Sequence, residues 1–180
     1  DCYGGLITMT KYPIIKESFY PYEITDEYSI IEEAGRKGFL FTTINVNGQY
    51  INVINTHLYS GGSNHSEKQR LKQIHFVDSL IHTFDEYKYY PTLFAGDFNF
   101  QHPSTEVNKD TSIVYKHIFK KKEWKEGDAH IEDHEYTYDK KYNCFASKKE
   151  KRQKLDYIFW NEMCCNLIPE KSEVLFTKDN

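Results

Sequence analysis

The chain has 180 residues, with 23 lysines and arginines against 27 aspartates and glutamates, giving a formal net charge of −4. Aromatic residues make up 16% of the sequence, and there are only 9 glycines and 5 prolines, which excludes disordered, collagen-like and repeat-array proteins. This length favours one globular domain, and the absence of a continuous basic stripe argues against broad, sequence-independent nucleic-acid binding.

The first part of the chain contains one predicted strand and one irregular segment. Gly5–Thr10 is apolar and is followed closely by Pro13. Because proline cannot donate to a strand ladder, the pattern predicts a strand that stops before it. The segment Tyr20–Glu33 is polar and is expected to be irregular.

A β-hairpin is the clearest structural prediction. Phe39–Val46 and Gln49–Leu58 are rich in strand-forming residues and flank Asn47-Gly48. Both residues of such a turn need positive φ angles, which Asn-Gly adopts readily. The second strand ends at His57, where it meets a glycine-containing loop, and such positions commonly carry function.

An amphipathic helix is predicted from Ser66 to about Lys88. Ser66 and Gln69 fit a capping box. The apolar residues that recur at three- and four-residue spacing are Leu71, Ile74, Val77, Ile81 and Phe84. We therefore expect this helix to pack against a sheet.

Polar residues follow the next predicted strand. Pro91–Ala95 has the pattern of a short buried strand and leads into Gly96-Asp97-Phe98-Asn99. Alternate residues of an extended chain point the same way, so Asp97 and Asn99 are expected to share a face.

The remaining elements complete an α/β pattern. A helix is predicted over Ser112–Lys122, and strands over Tyr136–Tyr138, Leu155–Trp160 and Val174–Phe176. Because the hairpin requires an antiparallel pair within this mixture, the fold class is a layered α/β domain with a mixed sheet.

The four cysteines, Cys2, Cys144, Cys164 and Cys165, are too few for a disulfide scaffold and lack paired C-x-x-C spacing. Free thiols are the favoured interpretation, with a bridge involving Cys2 left open for an exported protein. The compartment is therefore undecided by the cysteines.

Four polar residues are the candidates for chemistry: His57, Asp97, Asn99 and Asp156, each at the edge of an apolar strand. A carboxylate and an amide can hold a hard cation or position a water, and an imidazole can stabilise developing negative charge. These groups suit phosphodiester hydrolysis, although each residue alone also has an ordinary structural explanation.

The segment Asp128–Glu135 also places two histidines, His130 and His134, four residues apart among carboxylates. The metalloprotease signature requires glutamate after the first histidine, and Ile131 stands there instead. A solvated acidic loop is the better explanation.

The order of the motifs resembles that of the endonuclease/exonuclease/phosphatase superfamily. The matching segments are GLITMTKYPI at 5–14, NTHL at 55–58, a helix containing Arg70 and Gln73, GDFN at 96–99 and LDYIFW at 155–160. The sequence is most similar to the neutral sphingomyelinases, which share Arg36-Lys37-Gly38-Phe39 before the hairpin and Tyr136-Thr137-Tyr138-Asp139, Asn143 and Ala146 before LDYIF. This implies a two-layered mixed β-sandwich flanked by helices, in a deoxyribonuclease-like four-layer arrangement.

The resemblance also implies a role for each candidate residue. His57 would hydrogen-bond the scissile phosphate and stabilise the pentacoordinate transition state. Asp97 would orient or deprotonate the attacking water, and Asn99 would contact phosphate oxygens while fixing Asp97. Asp156 would orient a second histidine of a C-terminal Ser-Asp-His motif. Mg²⁺ would be the cofactor, with Asp97 and Asn99 as possible ligands of a second site.

Two family features have no counterpart in the sequence. No Ser-Asp-His follows LDYIFW, and the family's main metal ligands, an asparagine and a glutamate, come from strands before the segment matching residues 5–10. We therefore expect residues 1–180 to form one domain of this type that lacks N-terminal and C-terminal parts.

The resemblance implies Mg²⁺-dependent hydrolysis of sphingomyelin to ceramide and phosphocholine, on a phospholipid substrate at a membrane surface. It favours a secreted or membrane-associated protein. Two alternatives stay open: a nuclease or phosphoinositide phosphatase of the same superfamily, and a non-catalytic binding module. The net charge of −4 makes nucleic acid the less favoured substrate.

Overall fold

The computed structural model describes residues 4–23, 30–100, 112–120, 123–126, 136–139, 141, 152–161 and 170. The elements in chain order are β1 (Ile14–Pro21), α1 (Ile30–Ala34), β2 (Gly38–Val46), β3 (Gln49–His57), α2 (Asn64–Ile81), α3 (Asp85–Tyr89), β4 (Thr92–Asp97), α4 (Ile113–Lys120), β5 (Trp124–Glu126) and β6 (Asp156–Asn161). The predictions for the four cysteines, Asp128–Glu135 with His130 and His134, Asn143, Ala146 and Val174–Phe176 lie outside the described residues.

The six strands form one mixed sheet in the order β1-β2-β3-β4-β6-β5. The β3–β4 pair is parallel, and the other neighbouring pairs are antiparallel. A parallel pair needs a crossover connection, which α2 and α3 provide. The predicted α/β class with a mixed sheet is confirmed.

The predicted hairpin is also confirmed. Strands β2 and β3 pair from Phe39 with Thr56 to Val46 with Gln49. At the turn, Asn47 and Gly48 have φ angles of 53° and 93°, as this turn chemistry requires.

The first predicted strand is wrong. Among residues 5–10 no strand forms, and β1 begins only at Ile14. Pro13 lacks an N–H group, but its carbonyl accepts a hydrogen bond from the N–H of Asn45 at 2.9 Å, so the proline opens the ladder with β2. The segment Tyr20–Glu33 is likewise not wholly irregular, since it contains the end of β1 and most of α1.

The long predicted helix is two helices, and its start is one turn earlier than expected. Ser63 is the N-cap, and its side chain accepts a hydrogen bond from the N–H of Ser66, so the expected capping box at Ser66 and Gln69 is wrong. The helix ends at Ile81, and a turn separates it from α3.

The later predicted elements differ in their outcome. The helix α4 and the strands β4 and β6 confirm the expected elements to within two residues over the part described. Tyr136–Tyr138 forms only an isolated bridge between Tyr138 and Gln153. The short strand β5 was not predicted, because three residues give too little periodicity to recognise.

The core lies between α2, α4 and one face of the sheet. Ile54, Phe94 and Phe159 are register partners on that face. The other fully or nearly buried members of the core include Phe39, Phe41, Leu58, Ile74, Val77, Ile81, Phe98, Val114, Ile118, Trp124 and Tyr157. Because strand side chains alternate, His57, Asp97 and Asp156 belong to the opposite face.

Among the described residues, no helix has the length and apolar character that a membrane crossing would require.

Candidate active site

Three of the four predicted catalytic residues lie side by side at one edge of the sheet. His57 ends β3, Asp97 ends β4, and Asp156 begins β6. His57 is the register partner of Asp97, and Asp97 is the register partner of Asp156. Parallel strands end at the same edge, and an antiparallel neighbour begins there, so the topology brings these distant residues together.

The side chains of His57 and Asp97 are close enough to interact. Nε2 of His57 lies 3.5 Å from Oδ2 of Asp97, and 37% of the His57 side chain and 34% of the Asp97 side chain are exposed. Solvent and substrate can therefore reach both groups. Asp156, as the next register partner, extends the same row.

A glycine allows the strands to approach closely just before this row. Gly96 has a φ angle of 140°, and a Cβ atom on it would lie 1.9 Å from the carbonyl oxygen of Thr56. No side chain fits in that gap. The residue before Asp97 is thus glycine because β3 and β4 are in contact there.

Asn99 reaches Asp97 by a different route from the one predicted. The strand ends at Asp97, and Asn99 has a left-handed φ of 53°, so the two side chains do not share a strand face. Instead, the backbone N–H of Asn99 donates to Oδ1 of Asp97 at 2.9 Å. This bond fixes one carboxylate oxygen of Asp97 and leaves Oδ2 facing His57.

The side chain of Asn99 also joins the ends of β3 and β4. Its Nδ2 donates to the carbonyl oxygen of Leu58 at 3.0 Å, and the N–H of Leu58 donates to the carbonyl of Asp97 at 2.9 Å. These two bonds therefore connect the segment after His57 to the segment after Asp97.

Asp156 is held from the segment Tyr136–Asp139. Oγ1 of Thr137 accepts hydrogen bonds from the N–H of Leu155 at 3.0 Å and from the N–H of Asp156 at 3.1 Å. No role was predicted for Thr137 from the sequence, although it lies in a motif that supported the resemblance.

The environment shifts the pKa values of all three residues in the row. Burial lowers the pKa of His57, and the nearby Lys37 ammonium lowers it further. Burial raises the pKa of Asp97 despite the hydrogen bond from Asn99, and burial also raises the pKa of Asp156. The site therefore favours a neutral imidazole beside carboxylates of increased basicity.

A buried ion pair that the sequence did not reveal supports the loop after His57. Nζ of Lys37 lies 3.0 Å from each carboxylate oxygen of Glu32 and donates to the carbonyl of Leu58 at 2.9 Å. The N–H of Ser60 donates to Oε1 of Glu32 at 3.2 Å, and its hydroxyl also donates there. Burial raises the pKa of Glu32, but these partners outweigh it and leave the pKa lowered. Lys37 lies in the Arg-Lys-Gly-Phe motif that supported the resemblance, whereas no sequence pattern pointed to Glu32.

The same loop is held from the helix that follows it. Nη1 of Arg70 donates to the carbonyls of Tyr59 at 3.0 Å and Gly61 at 2.7 Å. Oε1 of Gln73 accepts from the N–H of Tyr59 at 2.8 Å. Both side chains are buried. The two helix residues that supported the resemblance thus fix the loop rather than face substrate.

The described residues do not by themselves fit a magnesium site. Among them, no group of three or more histidine, cysteine, aspartate or glutamate side chains is arranged to hold a metal ion. Asp97 and Asn99 are close neighbours, but one oxygen of Asp97 already accepts a hydrogen bond. Mg²⁺ takes six oxygen ligands in octahedral geometry, so Asp97 and Asn99 would leave at least four positions for water, phosphate or other groups.

The fold matches solved structures that include sphingomyelinase C from Streptomyces griseocarneus, with a TM-score of 0.66 and 19% identity over 87% of this chain and 52% of that one. A structure of a β-hairpin deletion mutant of Staphylococcus aureus beta toxin matches with a TM-score of 0.72 and 24% identity, covering 94% of this chain and 58% of that one. A beta toxin variant with bound magnesium ions matches with a TM-score of 0.64 and 22% identity over 86% of this chain and 51% of that one. Danio rerio TDP2 in complex with a single-stranded DNA product shares the fold more distantly, with a TM-score of 0.56 and 18% identity over 87% of this chain and 55% of that one.

The chain is also homologous in sequence to curated phospholipases. It is 28% identical over 163 residues to phospholipase C of S. aureus, covering 87% of this chain and 46% of that protein. It is 28% identical over 125 residues to sphingomyelinase C of Bacillus cereus, covering 65% of this chain and 35% of that protein. The resemblance predicted from the motifs is confirmed.

Two further findings concern the extent of this similarity. No family model matches the chain. The chain spans less than half the length of the curated relatives that it matches.

Proposed function

We propose that the protein containing these residues is a phosphodiesterase that hydrolyses sphingomyelin to ceramide and phosphocholine. The observation that carries the proposal is the row formed by His57, Asp97 and Asp156, with Asn99 bonded to Asp97. Homologues named phospholipase C and sphingomyelinase C support the lipid substrate. A phospholipid membrane would then be the surface on which the protein acts, and a secreted or membrane-associated location stays a prediction.

In the proposed reaction, Asp97 takes a proton from the attacking water. The N–H of Asn99 keeps Oδ1 of Asp97 in place, and Oδ2 remains to accept the proton. Neutral His57 donates a hydrogen bond to a phosphate oxygen, where negative charge increases in the transition state. The water oxygen bonds to phosphorus, the bond from phosphorus to the ceramide oxygen breaks, and that oxygen takes up a proton from solvent, to which the exposed Asp97 returns its own.

The test is release of phosphocholine from sphingomyelin vesicles by the full-length protein. We expect His57→Ala to reduce kcat at least about 100-fold, which is the usual contribution of such a group. His75→Ala is the matched control, because His75 is exposed on α2 and is not part of the row. An active His57→Ala variant, or a wild-type protein that releases no phosphocholine, would refute the assignment.

We also propose that the reaction depends on Mg²⁺. A beta toxin neighbour with bound magnesium ions supports this, and Asp97 and Asn99 would contribute oxygen ligands without completing the site. Calorimetric titration of residues 1–180 with MgCl₂ should therefore show only weak binding, with a Kd of about 1 mM or more. Tight binding would contradict this view of the ligands.

The same experiments distinguish the alternatives. If the protein cleaves plasmid DNA faster than sphingomyelin under matched conditions, a nuclease function replaces the lipid one. The net charge of −4 disfavours that result. Inactivity on lipid and DNA alike would favour a non-catalytic binding module.

A further inference from the structure

The segment that contains Thr137 is firmly attached to the approach to β6. The N–H groups of Thr137 and Tyr138 both donate to the carbonyl of Gln153, at 3.1 and 2.9 Å, and the N–H of Gln153 returns a bond to Tyr138 at 2.9 Å. Next to this bridge, Nε of Arg152 donates to Oδ2 of Asp139 at 2.7 Å. The position of the Thr137 side chain is therefore set by several contacts that do not involve the catalytic row.

The hydroxyl of Thr137 has its acceptor capacity filled by the main chain. Oγ1 accepts from the N–H of Leu155 at 3.0 Å and from the N–H of Asp156 at 3.1 Å. A hydroxyl oxygen accepts about two hydrogen bonds and keeps one proton to donate. The two bonds hold the main chain at the point where Asp156 begins β6.

Asp156 needs such support because of its position in the fold. It is the first residue of β6 and lies next to Asp97 in register, so two carboxylates face the same edge of the sheet. Repulsion between them favours a carboxylate of Asp156 that is turned away from Asp97. The bond from its backbone N–H to Thr137 gives the Asp156 side chain a fixed starting point.

We propose that Thr137 is a positioning residue that fixes the backbone of Asp156, and with it the start of β6, within the row of His57, Asp97 and Asp156. This inference rests on the proposed function, since the row is assigned to catalysis there. It assigns Thr137 a role that the motif resemblance did not include.

The first test measures Asp156 directly by NMR in the full-length protein, without any assay of activity. Thr137→Val keeps the shape of the side chain but removes the hydroxyl, whereas Thr137→Ser keeps the hydroxyl. In the valine variant, we expect the amide protons of Leu155 and Asp156 to exchange at least about tenfold faster, because each loses its acceptor. The carboxyl carbon resonance of Asp156 should also move, and serine should restore both signals.

Amides in the β2–β3 hairpin are the internal control, because they are remote from Thr137 and report global unfolding. If their exchange rises equally in Thr137→Val, the valine variant is globally destabilised. The test is then the Asp156 resonance of Thr137→Ser compared with that of the wild type. A serine variant whose Asp156 resonance differs from the wild type would overturn the proposal. An unchanged valine variant would overturn it as well.

The second test is phosphocholine release by the full-length protein. We expect Thr137→Val to lower kcat at least about tenfold with little change in KM, because orientation matters most in the transition state, and Thr137→Ser to restore kcat. If the NMR signals change but kcat does not, the positioning role is wrong. If no form of the protein releases phosphocholine, the proposed function fails, and the NMR comparison alone decides whether Thr137 fixes Asp156.

Discussion

At the scale of single residues, Asp97 combines an unfavourable environment with a central place in the row. Burial raises its pKa, while the N–H of Asn99 and the charges of Lys37 and Arg70 act in the opposite direction without restoring the ordinary value. A carboxylate that is harder to ionise in the folded state costs stability whenever it is charged. Such a cost is expected where a side chain is kept for chemistry rather than for folding.

We predict that Asp97→Asn abolishes catalysis without loss of stability. Below its ordinary pKa of 3.8 the carboxyl group is neutral in the folded and unfolded states alike. Above the raised pKa of the folded state it is charged, and only the folded form is penalised by burial. The variant should therefore gain stability at neutral pH and lose this gain in acid. Urea unfolding at both pH values measures the difference, and a marked destabilisation at neutral pH would contradict the prediction.

The four candidate residues could be predicted because each lies at or just beyond the end of an apolar strand, a local pattern in the sequence. Glu32 and Thr137 could not, because their partners are distant. Glu32 binds Ser60, which is 28 positions away, and Thr137 binds Asp156, which is 19 positions away. Contacts between residues so far apart in the chain leave no periodic pattern that a single sequence reveals.

At the scale of secondary-structure elements, the contact between β3 and β4 depends on Gly96. We predict that Gly96→Ala destabilises the fold by more than about 2 kcal/mol, because the new Cβ meets backbone and the φ angle is one that L residues rarely adopt. Both strands would have to separate at the carbonyl of Thr56, which lies 1.9 Å from the ideal Cβ position.

Gly62→Ala is the control for this experiment. A Cβ atom at Gly62 has no neighbour within 4 Å among the heavy atoms of the described residues, and its φ is not in the left-handed range. Chemical denaturation should show a small change for Gly62→Ala and a large one for Gly96→Ala. Equal effects would mean that the close approach of the strands is not what requires glycine.

The buried pair of Glu32 and Lys37 joins α1, the residue before β2 and the loop after His57. Only 4% and 10% of the two side chains are exposed. We predict that Lys37→Met destabilises the protein by about 3 kcal/mol, because it leaves the Glu32 charge buried without its cation. The double variant Glu32→Gln/Lys37→Met should recover part of this loss.

An exposed pair provides the comparison for Lys37. Lys16 contacts Glu86 at 2.6 Å, but 44% of the lysine side chain is exposed. Lys16→Met should cost no more than about 1 kcal/mol, as for other surface pairs. Urea unfolding of both variants gives the result, and similar losses for Lys16→Met and Lys37→Met would contradict a special role for burial.

The secondary-structure elements also differed in how well the sequence predicted them, for physical reasons. The hairpin, β4 and β6 were predicted because turn chemistry and apolar runs are local signals. The strand start at Pro13 was misjudged because a proline that stops one ladder can open another through its carbonyl. Ser63 and Ser66 are both possible N-caps in the sequence. In the structure the N-cap is Ser63, which directly follows Gly61 and Gly62.

At the scale of the whole molecule, one histidine at the end of α2 should add a pH-dependent contribution to stability. Nδ1 of His82 faces the carbonyl of Asp78 at 2.6 Å, and Nε2 faces Oε1 of Glu123 at 3.0 Å. Both partners are acceptors, so the doubly protonated imidazolium satisfies both at once. Burial lowers the pKa of His82, but the bonds to Glu123 and Asp78 outweigh it and leave the pKa above 6.5.

We predict that this contact, which joins α2 to the residue before β5, stabilises the protein in mild acid and not in alkali. A raised pKa in the folded state means that the contribution is complete below 6.5 and is lost as the pH rises through the folded value. The stability difference between wild type and His82→Gln should therefore be largest near pH 6 and nearly absent by about pH 9. Thermal or urea unfolding across this range measures it, with Glu123→Gln expected to reproduce the profile. A difference that is constant with pH, or that grows in alkali, would show that His82 contributes through packing on Tyr87 instead, whose ring centroid lies 5.1 Å away.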